Sequence, residues 1–297
     1  MPPRRNYALL AAYDGRPYLG FQPQSGLPTV GGLLASALHR TGIGASPFGA
    51  SRTDARVQAL GQPVSFQTRA DVDPIALQRL LNDALPSTVR VRDLASMAPS
   101  FHAHWSALGK TYRYRLSAAV LAGSRDETKW TGITDTAGAS HDLIWGNLDV
   151  LRLRQALEIL AAQPDLSAFS ASHARDGGKA RSINPPRLLE ADERRGILVE
   201  LRGTGFGRYE IRHLMAAALA FSAGRIGEKD LLAMVRGEEP RPFRAPAEGL
   251  CLLRVHYADS LPGPADTPEA LWEALRSIPF LEHYLTEREC RTGRLDA

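Results

Sequence analysis

Cysteine is nearly absent: Cys251 and Cys290 are the two in a chain of 297 residues. They form no CxxC pair, and no secretory leader is in view at Met1-Pro2-Pro3-Arg4-Arg5, so they read as reduced thiols of a cytosolic protein and not as a disulfide. No apolar run approaches the roughly 20 residues that a membrane span requires. Other absences narrow the chemistry. His102-x-His104 has no third ligand at metal spacing, Gly205-x-Gly207 lacks the third glycine and the preceding βαβ context of a dinucleotide loop, and Gly177-Gly178-Lys179 lacks the rest of a P-loop. No Ser-His-Asp arrangement can be argued from spacing. The expectation is a soluble, cytoplasmic protein that uses no metal and no organic cofactor and does not engage a membrane.

What is present fits an enzyme of two domains. Hydrophobic residues make up 44% of the chain, enough for a substantial core at this length. Charge is uneven along it. Residues 1–116 carry 13 Lys and Arg against 6 Asp and Glu, residues 117–258 carry 19 against 18, and residues 259–297 carry 4 against 8. The first 258 residues are therefore net basic and the tail is acidic. A basic balance suits a polyanionic partner, because phosphate contacts by Lys and Arg supply sequence-independent affinity, but it also describes many soluble basic proteins.

Hydrophobic spacing predicts two similar α+β halves. Tyr7 to Tyr13 reads as a strand, Thr29 as the cap of a helix with Val30, Leu33, Leu34 and Leu38 on one face, and Gln62 to Gln67 as a strand. Asp73-Pro74 starts a second helix with Leu77, Leu80, Leu81 and Ala84 as its stripe, followed by a strand from Val89 to Leu94. From Lys110 the theme repeats: a strand with Tyr112, Tyr114 and Leu116 on one face and Arg113 and Arg115 on the other, then a helix at 149–162, strands at 188–191 and 197–201, a helix at 207–223 and a strand at 250–257. The economical packing is two ferredoxin-like or RRM-like halves with mainly antiparallel sheets. The expected domains are 1–105, 106–258 and an acidic helical tail, 259–297, in which Thr267-Pro268 opens a helix carrying Leu271, Trp272, Leu275 and Ile278. That stripe packs either on its own core or in a dimer contact. Ala118 to Gly146 reads as a long surface insertion, either a substrate guide or an inert loop.

The segment Ala50-Ser51-Arg52-Thr53-Asp54-Ala55-Arg56-Val57-Gln58 places a carboxylate two residues after an arginine, between strand-like runs. By itself Arg-Thr-Asp is an ordinary turn. Other segments in fixed order change that reading: Tyr13-Asp14-Gly15 with Tyr18, Gly20, Phe21, Gln22 and Gln24; Asn82 with Leu85-Pro86; Phe101-His102-Ala103 with Ser106-Ala107; and Tyr112-Arg113-Tyr114. Asp165 with Phe169, Arg181 with Ile183, Gly205-Phe206 with Arg212, and Ala245-Pro246-Ala247-x-Gly249-Leu250-x-Leu252 follow, running to Val255 and Tyr257. Together they resemble the TruA family of tRNA pseudouridine synthases over most of residues 7–257.

The resemblance implies the pseudouridine synthase fold and isomerisation of uridine to pseudouridine in tRNA, in the anticodon stem-loop. It assigns Asp54 as the nucleophile, Tyr112 as the ring that stacks on the target uracil, Arg212 as the partner of the carboxylate, and Arg52 as the side chain that fills the space left by the flipped nucleotide. It also implies a homodimer with each tRNA spanning both subunits. The chain departs from the family motif where Ser51 and Arg56 replace glycines and Gln58 replaces histidine, and His104 and Leu166 replace the usual Arg and Phe. If the glycine at 56 has positive φ, an arginine there is strained by ~1 kcal/mol or more and the loop is reshaped. Read without the family, Asp54 is equally a loop residue bonding its own backbone, Tyr112 a core tyrosine and Arg212 a surface arginine. A non-catalytic RNA-binding homologue, the same chemistry at another RNA site, and a glycosidase-like enzyme with a second carboxylate are the competing functions.

Overall fold

The computed structural model describes residues 3–116, 148–171, 182–192, 196–240, 244–258, 264, 266–292 and 294–295. The expected insertion at 118–146, the Gly177-Gly178-Lys179 run and Arg181 lie outside the described residues. The chain divides into two compact units, 1–111 with 251–297, and 112–250. These bounds differ from divisions at 105 and 258: the last strand and the tail cluster with the N-terminal half.

In the first unit, β1 (Arg5–Tyr13) is flanked antiparallel by β3 (Gln58–Thr68) and β4 (Val89–Met97), and the short β2 (Phe48–Gly49) pairs with Ser65 and Val64 of β3. β8 (Leu250–His256) joins β3 in parallel through Gln58↔Cys251 and Ala59↔Leu252. The parallel register is what counts β8 with this unit. β3 is longer than the alternation at 62–67 implies, because ten of its eleven residues are buried and no polar face marks its start.

Helix α1 (Val30–Arg40) begins where the Thr29 hydroxyl accepts a hydrogen bond from the Gly32 N–H at 3.3 Å. Helix α2 (Pro74–Ala84) begins where Asp73 accepts from the Ile75 N–H at 3.0 Å, with Pro74 in the first turn. Leu77 and Leu81 are buried but Leu80 is 53% exposed, so the stripe of α2 is narrower than expected. The rest of its contact with β4 is polar: Asn82 accepts from the Val91 N–H (2.8 Å) and donates to its carbonyl (2.9 Å), and Gln78 donates to Val91 and Arg92. These amides cover backbone groups that a sheet edge otherwise leaves open.

The tail packs on its own unit. α6 (Pro268–Ser277) and the turn Pro279–Tyr284 bury Leu271, Leu275, Ile278, Leu281 and Tyr284 against Ala12, Leu60, Cys251 and Leu253 of the sheet. Burying a leucine-sized side chain contributes about 1.5–3 kcal/mol, so the tail is part of the unit's core. Arg92, fully buried, donates to the Leu60 carbonyl and pairs with Asp266. Burial lowers the Arg92 pKa, and Asp266 opposes that shift.

In the second unit, β5 (Gly109–Leu116), whose last residues belong here, lies beside β7 (Gly196–Gly203), which pairs antiparallel with β6 (Arg187–Asp192). Tyr112, Tyr114 and Leu116 are all buried, and so is Arg113, which the alternation alone leaves unexplained. Its guanidinium meets Glu200 of β7 at 3.0 and 3.1 Å, which offsets the cost of burial. α3 (Val150–Ala161) is capped by Asp149. α4 (Glu210–Ser222) is buried along almost its whole length and packs against α3 and α5 (Glu228–Val235). α4 starts at 210 and not 207 because Tyr209, its cap, has φ +61°. A final short helix, α7 (Glu287–Thr292), follows in the tail.

Candidate active site

Asp54 sits in residues 50–57, which carry the chain from β2 to β3. Gln62, inside β3, accepts from the Ser51 N–H at 3.1 Å and donates back to the Ser51 carbonyl, so one side-chain amide stands in for a strand partner. The Thr53 carbonyl accepts from the Phe21 N–H (3.1 Å), and its hydroxyl shares a 2.8 Å hydrogen bond with the Tyr13 hydroxyl. The Val57 N–H closes a turn on the Asp54 carbonyl (3.2 Å), with Ala55 and Arg56 at its corners. Arg56 has φ +68°, the conformation that a glycine in a type II turn supplies without strain.

An arginine holds this conformation because both of its peptide groups are tied down. Its N–H donates to the Tyr18 carbonyl at 3.0 Å, and its carbonyl accepts from Gln58 Nε2 at 2.8 Å. Gln58 is completely buried, and its Oε1 accepts from the Gly15 N–H at 2.8 Å. One donor and one acceptor are what a neutral histidine also offers, so glutamine fills the histidine position of the family motif with an uncharged equivalent. The turn thus has glycine-type geometry with arginine in it.

The Tyr13-Asp14-Gly15 turn and the Asp54 loop are one assembly. A Cβ on Gly15 would lie 1.9 Å from the Val57 carbonyl oxygen, and one on Gly20 would lie 2.9 Å from that of Thr53. Asp54 is half-buried in this frame, and Arg52 and Arg56 are exposed.

The second unit holds Tyr112 and Arg212. Tyr112, on β5, is buried and meets the Phe206 ring edge-on at 5.4 Å. Arg212, on α4, is half-buried, and its Nε donates to the Ala245 carbonyl at 2.6 Å while its own carbonyl accepts from the Ala245 N–H at 2.9 Å. Tyr114 donates its hydroxyl to the Pro246 carbonyl at 3.0 Å, and a Cβ on Gly249 would come within 2.7 Å of the Tyr114 ring. The Ala245–Gly249 run thus serves to orient Arg212. Burial drives the Tyr114 phenol far above its ordinary pKa, against the opposing pull of Arg212, so it stays a neutral donor.

Arg52 and Asp54 share one loop of the first unit, and Tyr112 and Arg212 belong to β5 and α4 of the second. Spacing did not reveal Gln62, which has no local signature in its strand, or Arg208, Tyr209 and Arg244, which gather around one ring. A cavity of about 790 Å³ lined by Arg4, Phe48, Gln67, Arg69 and His102 contains none of the four expected site residues. His102 uses Nδ1 to accept from the His104 and Trp105 N–H groups at 3.1 and 3.3 Å, and His104 Nδ1 lies 2.9 Å from the Ala50 carbonyl. Among the described residues, no three His, Cys, Asp or Glu side chains gather as a metal site, and no helix is long and apolar enough to cross a membrane.

The mixed α+β architecture and a carboxylate on a braced loop are joined by a match of residues 160–258 to the family described as tRNA pseudouridine synthase, which defines the class. The curated tRNA pseudouridine synthase A of Akkermansia muciniphila is 34% identical to this chain over 265 residues, 84% of this chain and 94% of that protein. Those of Syntrophotalea carbinolica and Maridesulfovibrio salexigens are 32% identical over 254 residues (84% and 95%) and 29% identical over 265 residues (87% and 93%). The chain belongs to the tRNA pseudouridine synthase A, or TruA, family.

Proposed function

We propose that this protein isomerises uridine to pseudouridine in tRNA, within the anticodon stem-loop, with Asp54 as the nucleophile. The observation that carries the reading is the Asp54 loop: despite three departures from the family motif, every backbone group of residues 51, 53 and 56 named above has a partner. A loop braced in this way suits a group that must hold its position through a reaction.

The reaction breaks the bond from uracil N1 to ribose C1′, turns the base, and joins C5 to C1′; C5 loses a proton and N1 gains one, with no change in redox state. The Asp54 carboxylate attacks C1′ or takes a proton on the way to a glycal, two routes open to a carboxylate at an anomeric carbon. Tyr112 stacks on the uracil and assists the proton transfer at C5. Arg212 keeps Asp54 ionised, and Arg52 occupies the stem when the nucleotide flips. The protein acts in the cytoplasm as a homodimer with tRNA across both subunits. The exposed Arg56, on the same turn as Asp54, favours one second reading, in which the same chemistry falls on a different uridine. Pseudouridine mapping of total RNA with and without the protein tests both: loss at anticodon stem-loop uridines supports the first, loss elsewhere the second, and an unchanged map rejects catalysis.

A further inference from the structure

Three guanidinium groups converge on one tyrosine in the second unit. Arg244 lies 4.3 Å from the centre of the Tyr209 ring, Arg208 4.8 Å and Arg212 5.8 Å, and the Arg208 Nη2 also donates to the Tyr209 hydroxyl at 3.0 Å. His213 meets the same ring edge-on at 6.4 Å. Arg208, Arg212 and His213 lie at or just before the start of one helix, with Arg208 and Arg212 four residues apart, and Arg244 joins them from a separate segment of the chain. Tyr209 occupies the left-handed conformation, φ +61°, where its ring is presented to all three arginines. The aromatic face attracts each cation, and three like charges around one ring also repel each other. Glu210 already accepts from the Gly207 N–H. Arg208 is exposed and Arg244 half-exposed.

We propose that Arg208 and Arg244, held by Tyr209, form a phosphodiester clamp for the RNA strand beside Arg212. A guanidinium carries five N–H donors in a planar fork that matches two phosphate oxygens; contact of a ring with its face uses none of them, and Arg208 commits one Nη2 donor to the Tyr209 hydroxyl. Fixing both groups before binding lowers the ordering cost of the contact. This inference deepens the proposed function and rests on RNA being the substrate; it assigns backbone grip to these two arginines, and Tyr209 acts as a positioning residue.

The test is the affinity of the purified full-length chain for unmodified tRNA transcript, measured against salt concentration, for wild type, R208Q/R244Q and R208K/R244K. Loss of two phosphate contacts flattens the log-log salt slope by about 1.4–1.8 in R208Q/R244Q and weakens binding at least tenfold at moderate salt. The lysine pair retains the slope and loses a few fold through the missing fork. If R208Q/R244Q keeps the wild-type slope and affinity, or if the lysine pair loses the same slope as the glutamine pair, the clamp is wrong. The slope is read without turnover, so a wild type that binds tRNA but makes no pseudouridine removes the proposed activity and leaves the clamp standing.

Discussion

Among the described residues, two that are not glycine have positive φ: Arg56 at +68° and Tyr209 at +61°. Each lies within three residues of a charged group to which the proposed function gives a role, Asp54 and Arg212. Their surroundings hold them differently. Arg56 is fixed through its backbone, between the Tyr18 carbonyl and the buried Gln58 amide, and its side chain is exposed. Tyr209 is fixed through its side chain, by three arginines and a histidine. Left-handed backbone in a residue with a Cβ costs on the order of 1–2 kcal/mol and persists where neighbours over-determine it. The first site uses that arrangement to hold a carboxylate still, and the second to gather positive charge.

Beyond Asp54 itself, the largest expected effect is at Tyr112, packed on Phe206 in the second unit. Tyr112→Leu removes both stacking and the phenol and lowers turnover more than Tyr112→Phe, which keeps the ring and loses about 100-fold or more if the hydroxyl assists proton transfer. Single-turnover rates and tRNA affinities separate the two; equal behaviour of Phe and Leu removes the two-part role.

Breaking the first region requires Gln58. Gln58→Ala strands the Gly15 N–H and the Arg56 carbonyl and lowers unfolding stability by about 2–3 kcal/mol, whereas Gln58→His retains most of it. Denaturant midpoints report both, and a stable Ala variant contradicts the bracing.

Lys110 opens the strand that leads to Tyr112, and burial lowers its pKa to about 8. The unfolded lysine, near 10.5, binds its proton more tightly, so between pH 8 and 10.5 stability rises by up to about 1.4 kcal/mol per pH unit from this group. Lys110→Met abolishes that rise and is the more stable protein at pH 7. Urea unfolding at pH 7.5, 9 and 10 measures it.

The smallest effects sharpen the comparison itself. Arg56→Gly and Tyr209→Gly each relieve backbone strain, but glycine also loosens the unfolded chain, which leaves a net gain of about 1 kcal/mol or less at Arg56. At Tyr209 the gain is cancelled by the lost ring contacts. If Arg56 also touches a phosphate, its glycine variant flattens the tRNA salt slope by about 0.7–0.9; an unchanged slope with altered uridine choice assigns Arg56 to loop shape alone.

Much of the fold was legible because its elements carry local signatures: Thr29 and Asp73 cap the helices they were expected to cap, Asp149 caps a helix expected to begin with it, and β1 and β4 follow their apolar runs. β3 was read short, from Gln62 onward, because Gln58, polar and fully buried, looks like a loop residue until its partners are known. Leu80 was misplaced because helical spacing defines a stripe and not its width. The tail's acceptance onto Ala12, Leu60, Cys251 and Leu253 depends on long-range contacts that no window of sequence contains. At the candidate site, the resemblance named Asp54, Tyr112, Arg52 and Arg212 as the expected residues and raised the question of φ at 56. It was silent on Gln62, Tyr209 and Arg244, whose roles arise from side chains meeting across separate segments.

The most direct test is product formation by purified wild type and Asp54→Asn on the same tRNA transcript, with pseudouridine quantified and tRNA affinity measured in parallel. Asparagine keeps the size of the side chain and removes the negative charge and the nucleophile. The account predicts pseudouridine from wild type, none detectable from Asp54→Asn, and affinities within a few fold of each other. Measurable turnover by the asparagine variant would contradict it.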